Sequence, residues 1–481
     1  MMFSTLFTSP SAISLAGDAV TWSAEQIGAS VNARCHELLA QDVGRGDRVL
    51  IAHAGTPAFF VDLFAVWKLG GCAICIRPDL TDNEFVNVRG FVVPKVTVLD
   101  DDGSRSDSAH PTLARATQHS MVSDPIEEVD TEPSAPSLVL FTSGTTAQPK
   151  GVVISRGALG NRLRLNLDHI SGAALKTTLC VMPTYFGHGL IGNCLTALAA
   201  GGDLVLMNGK VMETIAQLAD VVEARRISFM SSTPSFWRLA LRSRRPQHKL
   251  IQVSIGSEPV SADLVEAVSQ WAGTEDVRVM YGMTECANWI SGYSRKDRPP
   301  EDGCVGMMWG GEAAVLTGKA NVERYGEGEI VLRSPAMMSG YMERPDLTEE
   351  TFEGDWFRTG DHGRVSRAGE IFLSGRLKDE INRAGMKIAP SEVEMLLERH
   401  YQVREACVFA LPDLVAGELV GVALVLEPGV QPDRRRLHAW CGDRIRAECV
   451  PDRWYFVDSL PRTDRGKQDR RSLQSRFGGA N

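Results

Sequence analysis

The chain is 481 residues long, 43% hydrophobic and 23% charged, proportions that exclude a disordered or fibrous protein. At this length, about two to four domains are expected. Its 51 basic and 60 acidic residues give a net charge of −9, which argues against a nucleic-acid backbone as main partner. The most apolar stretch, 59–76, is interrupted by Asp62 and Lys68 and is not a bilayer span. The N-terminus has neither the basic start nor the continuous apolar core of a secretory signal. A cytoplasmic protein without a membrane span is therefore expected. The ten cysteines are scattered, and Cys72 and Cys75 have no second Cys/His pair at metal-ligand spacing, so they read as core residues.

The first helix is predicted just after Thr21. Ser23 and Gln26 have capping-box spacing, and Ile27, Val31, Leu38 and Leu39 recur at helical intervals. A strand is expected over 48–52, a helix over 58–69 and an apolar strand over 72–76. Such alternation points to parallel sheets covered by helices. Residues 101–136 are polar and aperiodic and read as a surface loop before a strand at 138–141. Buried strands are predicted at 176–182, 203–207, 227–230, 250–256 and 277–282, each after a helical stretch. Near residue 370 the pattern changes to a compact α+β unit, so a boundary is placed at 376–379. In that unit a helix opens at Pro390, with Ser391 and Glu394 again at capping-box spacing. Strands at 406–412 and 421–428, a helix at 440–449 and a strand at 454–461 follow. The expected fold is α/β. A large N-terminal domain (1–377) holds helix-covered, largely parallel sheets in several subdomains, and a small α+β domain (378–481) follows.

The strongest chemical signal is the run from Phe141 to Gly151, FTSGTTAQPKG, which leaves an apolar strand and ends on Lys150. Consecutive backbone N–H groups in such a turn form an anion nest, and the hydroxyls and lysine add donors for phosphate oxygens. The Walker pattern is absent. Four further motifs lie downstream: Y-G-M-T-E from Tyr281 to Glu285, W-F-R-T-G-D ending at Asp361, G-R-L-K-D-E starting at Gly375, and L-P-R-T-D-R-G-K ending at Lys467. Read singly, each has a bland explanation: a core tyrosine, a surface turn, a charged linker or a solvated tail.

Together and in this order, the five motifs resemble the acyl-adenylate-forming enzymes: acyl-CoA synthetases, luciferases and nonribosomal peptide adenylation domains. The segment 326–352 matches that family too. The resemblance implies ATP-dependent conversion of a carboxylic acid to acyl-AMP, with pyrophosphate released, followed by transfer to a thiol. It implies that Thr142, Ser143, Gly144, Thr145, Thr146 and Lys150 cradle the ATP phosphates. Gly256, Ser257 and Glu258 would lie beside the adenine, and Tyr281, followed by Gly282, would stack on it. Thr284 would touch the α-phosphate and Glu285 would hold Mg²⁺. Asp361 and Arg376 would take the ribose hydroxyls, and Lys467 would bridge carboxylate and α-phosphate. Lys378 matches the hinge about which the family's small domain rotates, and Gly385 matches the loop facing the site in the thioester state.

The acyl pocket implied by the resemblance is walled by Phe186, His188, Ser231, Ser232, Ile255, Gly256, Met280, Met283 and Trp289. That mixture suits an uncharged acyl or aryl group. Departures from the family pattern are Ala147 in place of a loop glycine and Phe186 in place of a pocket histidine, with His188 two residues later. Gly187 stands where amino-acid-activating members place an Asp, so an α-amino acid is not expected. The thiol is expected to be that of CoA, with a phosphopantetheinyl carrier protein as the alternative. The G-x-G-x-x-G at 187–192 lacks the acid that a dinucleotide site needs after the next strand. A non-catalytic nucleotide sensor is the remaining rival.

Overall fold

The computed structural model describes residues 11–16, 21–100, 111–119, 124–142, 150–318, 321–384, 386–463 and 467–478. The first helix, Ala24–Leu39, carries the reciprocal Ser23–Gln26 capping box and buries Ile27, Val31 and Leu38; Leu39 points to solvent. Thr56 caps the next helix, Pro57–Lys68, with Pro57 in its first turn. Strands Arg48–Ile51 and Cys72–Cys75 pair in parallel, and both cysteines are buried in the sheet. They belong to a seven-stranded sheet that also contains Pro136–Thr142 and Lys150–Ser155. The expected loop at 101–136 is partly a strand, since Thr112–Ala114 pairs in parallel with Val96–Leu99.

A second sheet of fifteen strands has two halves of different character. Thr177–Cys180, Asp203–Leu206, Phe229–Ser232, Gln252–Gly256 and Val277–Met283 are parallel neighbours, each a short apolar run following a helix. From Asn288 to Arg376 every pairing is antiparallel. The expectation of largely parallel sheets therefore holds for the seven-stranded sheet and for the first half of this one, and fails for the second half. The second half alternates polar and apolar residues, as a sheet with one wetted face does.

From Ile381 onward the chain packs around a core of its own, built from residues such as Ile388, Val393, Leu397, Val408, Val422 and Leu424. The 3₁₀ turn Leu377–Asp379 precedes it. The helix Pro390–Glu398 forms as expected, but the Ser391–Glu394 capping box does not. With Pro390 at its first position, Ser391 already lies inside the helix. Its hydroxyl donates to the Ser374 carbonyl (2.7 Å), while Glu394 accepts from Val408 N (2.7 Å) and pairs with Arg470. The helix expected at 440–449 is Arg434–Gly442, started early by the Asp433 side chain, and Ala447–Cys449 is a separate 3₁₀ turn. Among the described residues no helix is long and apolar enough to cross a membrane.

Ion pairs join the C-terminal unit to the large one: Arg238 to Glu398 (2.7 Å), Arg242 to Glu427 (3.4 Å), and Arg399 to Asp302. Burial pushes the Glu398 carboxyl up to about 7, with Arg238 opposing and Glu394 reinforcing the rise. A carboxyl raised in the folded state contributes stability that is complete below its ordinary value and lost as pH climbs through 7. Thermal unfolding followed by circular dichroism should therefore show Tm falling between pH 5 and pH 8. Glu398→Gln should flatten that slope, and an unchanged slope would remove Glu398 as its cause.

Candidate functional site

The strand ends that matter meet along one edge of the two large sheets. Pro136–Thr142 and Lys150–Ser155 are antiparallel, with Thr142 opposite Lys150. Ser143, Gly144, Thr145 and Thr146 lie outside the described residues. Lys150 stands with its ammonium 5.7 Å from the ring centre of Tyr341. The Tyr341 hydroxyl donates to Glu285 Oε1 at 2.8 Å. Burial, then the Glu285 charge, pushes the Tyr341 phenol well up, which keeps it a donor. Lys150 and Glu285, 135 positions apart in sequence, thus approach the same tyrosine.

Glu285 sits in the 3₁₀ turn Thr284–Cys286 at the end of the strand Val277–Met283. The turn is pinned from several sides. Met338 N donates to the Glu285 carbonyl (2.7 Å), Ala287 N to the Thr284 carbonyl (2.9 Å), and Arg162 Nε to the Cys286 carbonyl (3.2 Å). Arg162 is fully buried, and burial lowers its guanidinium to about 10.

On the same strand, Tyr281 donates its hydroxyl to Asp361 Oδ2 at 2.5 Å. Asp361 Oδ1 receives Arg376 Nε at 2.6 Å, because Asp361 and Arg376 are register partners in adjacent strands. Burial pushes the Asp361 carboxyl up, opposed first by Arg376 and then by the Tyr281 hydroxyl and the ammonium groups of Lys467 and Lys378. Gly256 ends its strand so close to the next that a Cβ there would stand 2.5 Å from the Met280 carbonyl oxygen. A Cβ at Gly282 would stand 2.4 Å from the Asn288 carbonyl oxygen. Ser257 follows Gly256 with φ 73, in the left-handed region. Glu258 accepts from the backbone N (3.1 Å) and the hydroxyl (2.8 Å) of Ser235, at the start of helix Pro234–Ala240. Arg238, on that helix, pairs with Glu398 of the C-terminal unit.

The residues expected to wall the acyl pocket gather around His188, the first residue of a π-helical turn, His188–Leu195. Such turns recur at functional sites. Its two ring nitrogens meet Ser257 Oγ (2.9 Å) and Ser231 Oγ (2.7 Å), and its ring stands edge-on to Trp289 at 5.6 Å. Burial, and after it the Lys467 charge, hold the imidazole down to about 3. It is therefore neutral at physiological pH. Met280 packs with Phe229, Trp289 and Trp309 in one buried cluster, and Ile255 is fully buried in the main core. Ser232 donates to Met182 Sδ, Met283 is half-buried at its strand end, and Phe186 packs edge-on against Tyr185 (4.5 Å).

Lys467 comes from the other unit. Its carbonyl accepts from Thr463 N (2.7 Å). The next residues are anchored on the C-terminal sheet by Gln468 Nε2 to the Ala406 carbonyl (3.0 Å) and by Arg470 on Glu394. In this arrangement its ammonium acts electrostatically on both His188 and Asp361. The structure thus gathers Lys150, Glu285, Tyr281, Asp361, Arg376, His188 and Lys467. The sequence reading missed Tyr341, Asn288 and Arg162. Tyr341 lay inside the family-like segment 326–352, which was its only signal.

Two family models cover most of the chain: AMP-binding enzyme over residues 5–342 and AMP-binding enzyme C-terminal domain over residues 392–467. Among curated proteins, the chain is 27% identical over 482 residues to the oxalate–CoA ligase of Arabidopsis thaliana, covering 93% of each chain. It is 29% identical over 486 residues to the fatty acid–acyl-carrier-protein ligase ScoC of Streptomyces coeruleorubidus, covering 95% of this chain and 92% of the other. The fold matches that of ATP-bound MatB from Rhodopseudomonas palustris with a TM-score of 0.89 at 24% identity, over 99% of both chains. On the span of the two family models, the chain belongs to the AMP-binding enzyme family.

Proposed function

We propose that the protein joins a carboxylic acid to a thiol in two steps: acyl-AMP formation from ATP with release of pyrophosphate, then acyl transfer, with CoA as the acceptor thiol. The observation that carries this reading is that Lys467, from the C-terminal unit, acts electrostatically on both His188 and Asp361 of the large one. A carboxylate is a poor electrophile, because its charge repels nucleophiles and its leaving group would be oxide. Attack of a carboxylate oxygen on the α-phosphorus forms one P–O bond and breaks the bond to the β-phosphate oxygen, expelling pyrophosphate. The thiol sulfur then attacks the acyl carbon and AMP leaves.

Such a displacement asks for alignment and for charge placed where it develops. Thr142, Ser143, Gly144, Thr145, Thr146 and Lys150 hold the phosphates. Gly256, Ser257, Tyr281 and Gly282 flank the adenine, while Glu258 braces helix Pro234–Ala240 beside it. Asp361 and Arg376 take the ribose, Thr284 the α-phosphate, and Lys467 spans the reacting carboxylate and α-phosphate. Glu285, a half-buried carboxylate oriented by Tyr341, suits a hard cation. Among the described residues no group of three His, Cys, Asp or Glu side chains could hold a metal, so a Mg²⁺ at Glu285 would take its other ligands from phosphate oxygens and water. There it would screen the phosphate charge.

Lys378, in the turn between the units, is the proposed hinge, with the boundary at 377/378. The similarity to one CoA ligase and one carrier-protein ligase keeps a carrier-protein thiol as the alternative acceptor. Ten buried free cysteines fit a reducing compartment, the cytoplasm.

The test is acid-dependent exchange of labelled pyrophosphate into ATP, followed by thioester formation with CoA or with a phosphopantetheinylated carrier. ATP binding without exchange for any acid would leave a nucleotide sensor instead.

A further inference from the structure

The acyl side of the site holds two hydrogen-bond donors that the protein does not satisfy. Asn288 is 6% and Trp289 2% exposed, and neither Asn288 Nδ2 nor Trp289 Nε1 has a hydrogen-bond partner. Buried polar groups are rarely left unpaired, and each exception calls for an explanation. Here two of them occur in succession, two residues beyond the Thr284–Cys286 turn that carries Glu285.

The backbone is strained to place them. Ala287 (φ 52) and Asn288 (φ 98) are consecutive non-glycine residues in the left-handed region. Such strain persists only where the surroundings enforce it, and it gathers at ligand sites. Asparagine is among the few side chains that tolerate it. The Asn288 amide and the Trp289 indole both lie against Gly192 of the π-helical turn. A methyl group at Gly192 would stand 2.2 Å from Asn288 Nδ2 and 2.9 Å from Trp289 Cζ2. Toward Gly187 there is room instead, because a methyl there would meet only Asn288 Cβ and Leu140 Cδ1, each at 3.9 Å.

The neighbouring groups decide the sign of the charge. Both nitrogens of His188 are engaged by serine hydroxyls, which are neutral partners. The amide and indole donors are uncharged as well. Lys467 is assigned to the reacting carboxylate. A second carboxylate placed against Asn288 and Trp289 would be desolvated among neutral groups, which is costly. Trp289 belongs to one buried cluster with Met280, Phe229 and Trp309, and close-packed side chains of that size leave little room beside it for a long acid.

Resting on the function proposed above, we infer that Asn288 and Trp289 are specificity-determining residues that read an uncharged, hydrogen-bond-accepting oxygen on the acyl group. The preferred substrates are then compact carboxylic acids with a keto, hydroxyl or ether oxygen a few atoms beyond the carboxylate.

The experiment measures kcat/KM for acid-dependent pyrophosphate release with size-matched acids: pentanoate against 4-oxopentanoate, butanoate against 3-hydroxybutanoate and methoxyacetate, with succinate as the charged member. A site built on hydrogen bonds rejects the analogue lacking the group far more strongly than an apolar pocket does. In the wild-type enzyme at least one oxygenated neutral acid should exceed its alkanoate by about 100-fold or more. Trp289→Phe keeps a ring against His188 and removes the N–H, so the preference should shrink to within about tenfold. Asn288→Asp turns the donor into an acceptor while tolerating the left-handed backbone, and it should shrink the preference likewise. If Asn288→Asp does not fold, Trp289→Phe decides alone. Equal use of alkanoate and oxygenated acid, a preference untouched in the variants, or succinate as the best substrate would each overturn the inference.

Should no acid release pyrophosphate, the function proposed above fails. The inference is then read separately by calorimetric binding of the same acids in the presence of AMP. There 4-oxopentanoate must bind more tightly than pentanoate, and equal binding overturns it.

Discussion

Replacing Lys467 by alanine is expected to slow acyl-AMP formation by about 10²–10³, the usual loss when one preorganised charge is removed from a transition state. The same variant should make thioester from supplied acyl-AMP at close to the wild-type rate. The asymmetry follows from where the ammonium stands. Its charge acts on both His188 and Asp361, the residues proposed for the acyl and ribose sides, which is what its proposed role in the first step requires. In the second step no negative charge has to be brought onto the α-phosphorus. Rapid-quench measurement of acyl-AMP, paired with single-turnover thioester formation, separates the two. Equal losses in both half-reactions would show that Lys467 is a structural residue of its loop. Its backbone bond to Thr463 and the neighbouring anchors Gln468 and Arg470 do not use the ammonium, so alanine should leave that loop in place.

How much of this was legible in the sequence depended on the range of the interaction. The buried strands Gln252–Gly256 and Val277–Met283 read correctly because an apolar run in a parallel sheet is a local property. The Ser23–Gln26 box was correct for the same reason, since both partners lie within one turn. The identical spacing at Ser391 and Glu394 misled. Their partners are Ser374, Val408 and Arg470, and tertiary demand outranked the local signal. Thr112–Ala114 was missed because an edge strand of three residues is too short to show a periodicity.

Chemistry divides along the same line. Asp361 and Arg376 were assigned one role, and their pairing is the register of two adjacent strands. Tyr341 meets Glu285 from 56 positions away, and nothing near either residue announces it. Arg162 carried no signal in the sequence, and it is fully buried against the Cys286 carbonyl. Trp289 read only as one wall of the acyl pocket that the resemblance implied, and Asn288 carried no signal in the sequence. What marks them is the absence of a partner, which only a three-dimensional arrangement can reveal.

The second large effect is expected at Lys378. In the present arrangement, the one proposed for the first half-reaction, the units are joined through Arg238–Glu398, Arg242–Glu427 and Arg399–Asp302. Arg242–Glu427 and Arg399–Asp302 are exposed or half-exposed, and pairs of that kind contribute about 0–1 kcal/mol each, so they set no large electrostatic barrier to rotation of the small unit. What it needs is a residue whose backbone can change, and hinges are short stretches at the ends of elements. Lys378 lies in the 3₁₀ turn Leu377–Asp379, between the last strand of the large sheet and the first strand of the small unit. Proline fixes φ near −65°, a value that a 3₁₀ turn already uses. Lys378→Pro should therefore hold the arrangement described here and resist the other. Pyrophosphate exchange is expected to stay within a few-fold of wild type, while thioester formation falls by about 100-fold or more, a loss set by the blocked conformational step. Lys378→Ala removes the charge and leaves φ free, so it should keep both rates near normal. If alanine and proline slow the thiol step equally, the ammonium matters rather than the backbone. If neither does, the pivot lies elsewhere in the segment between Arg376 and Ile381.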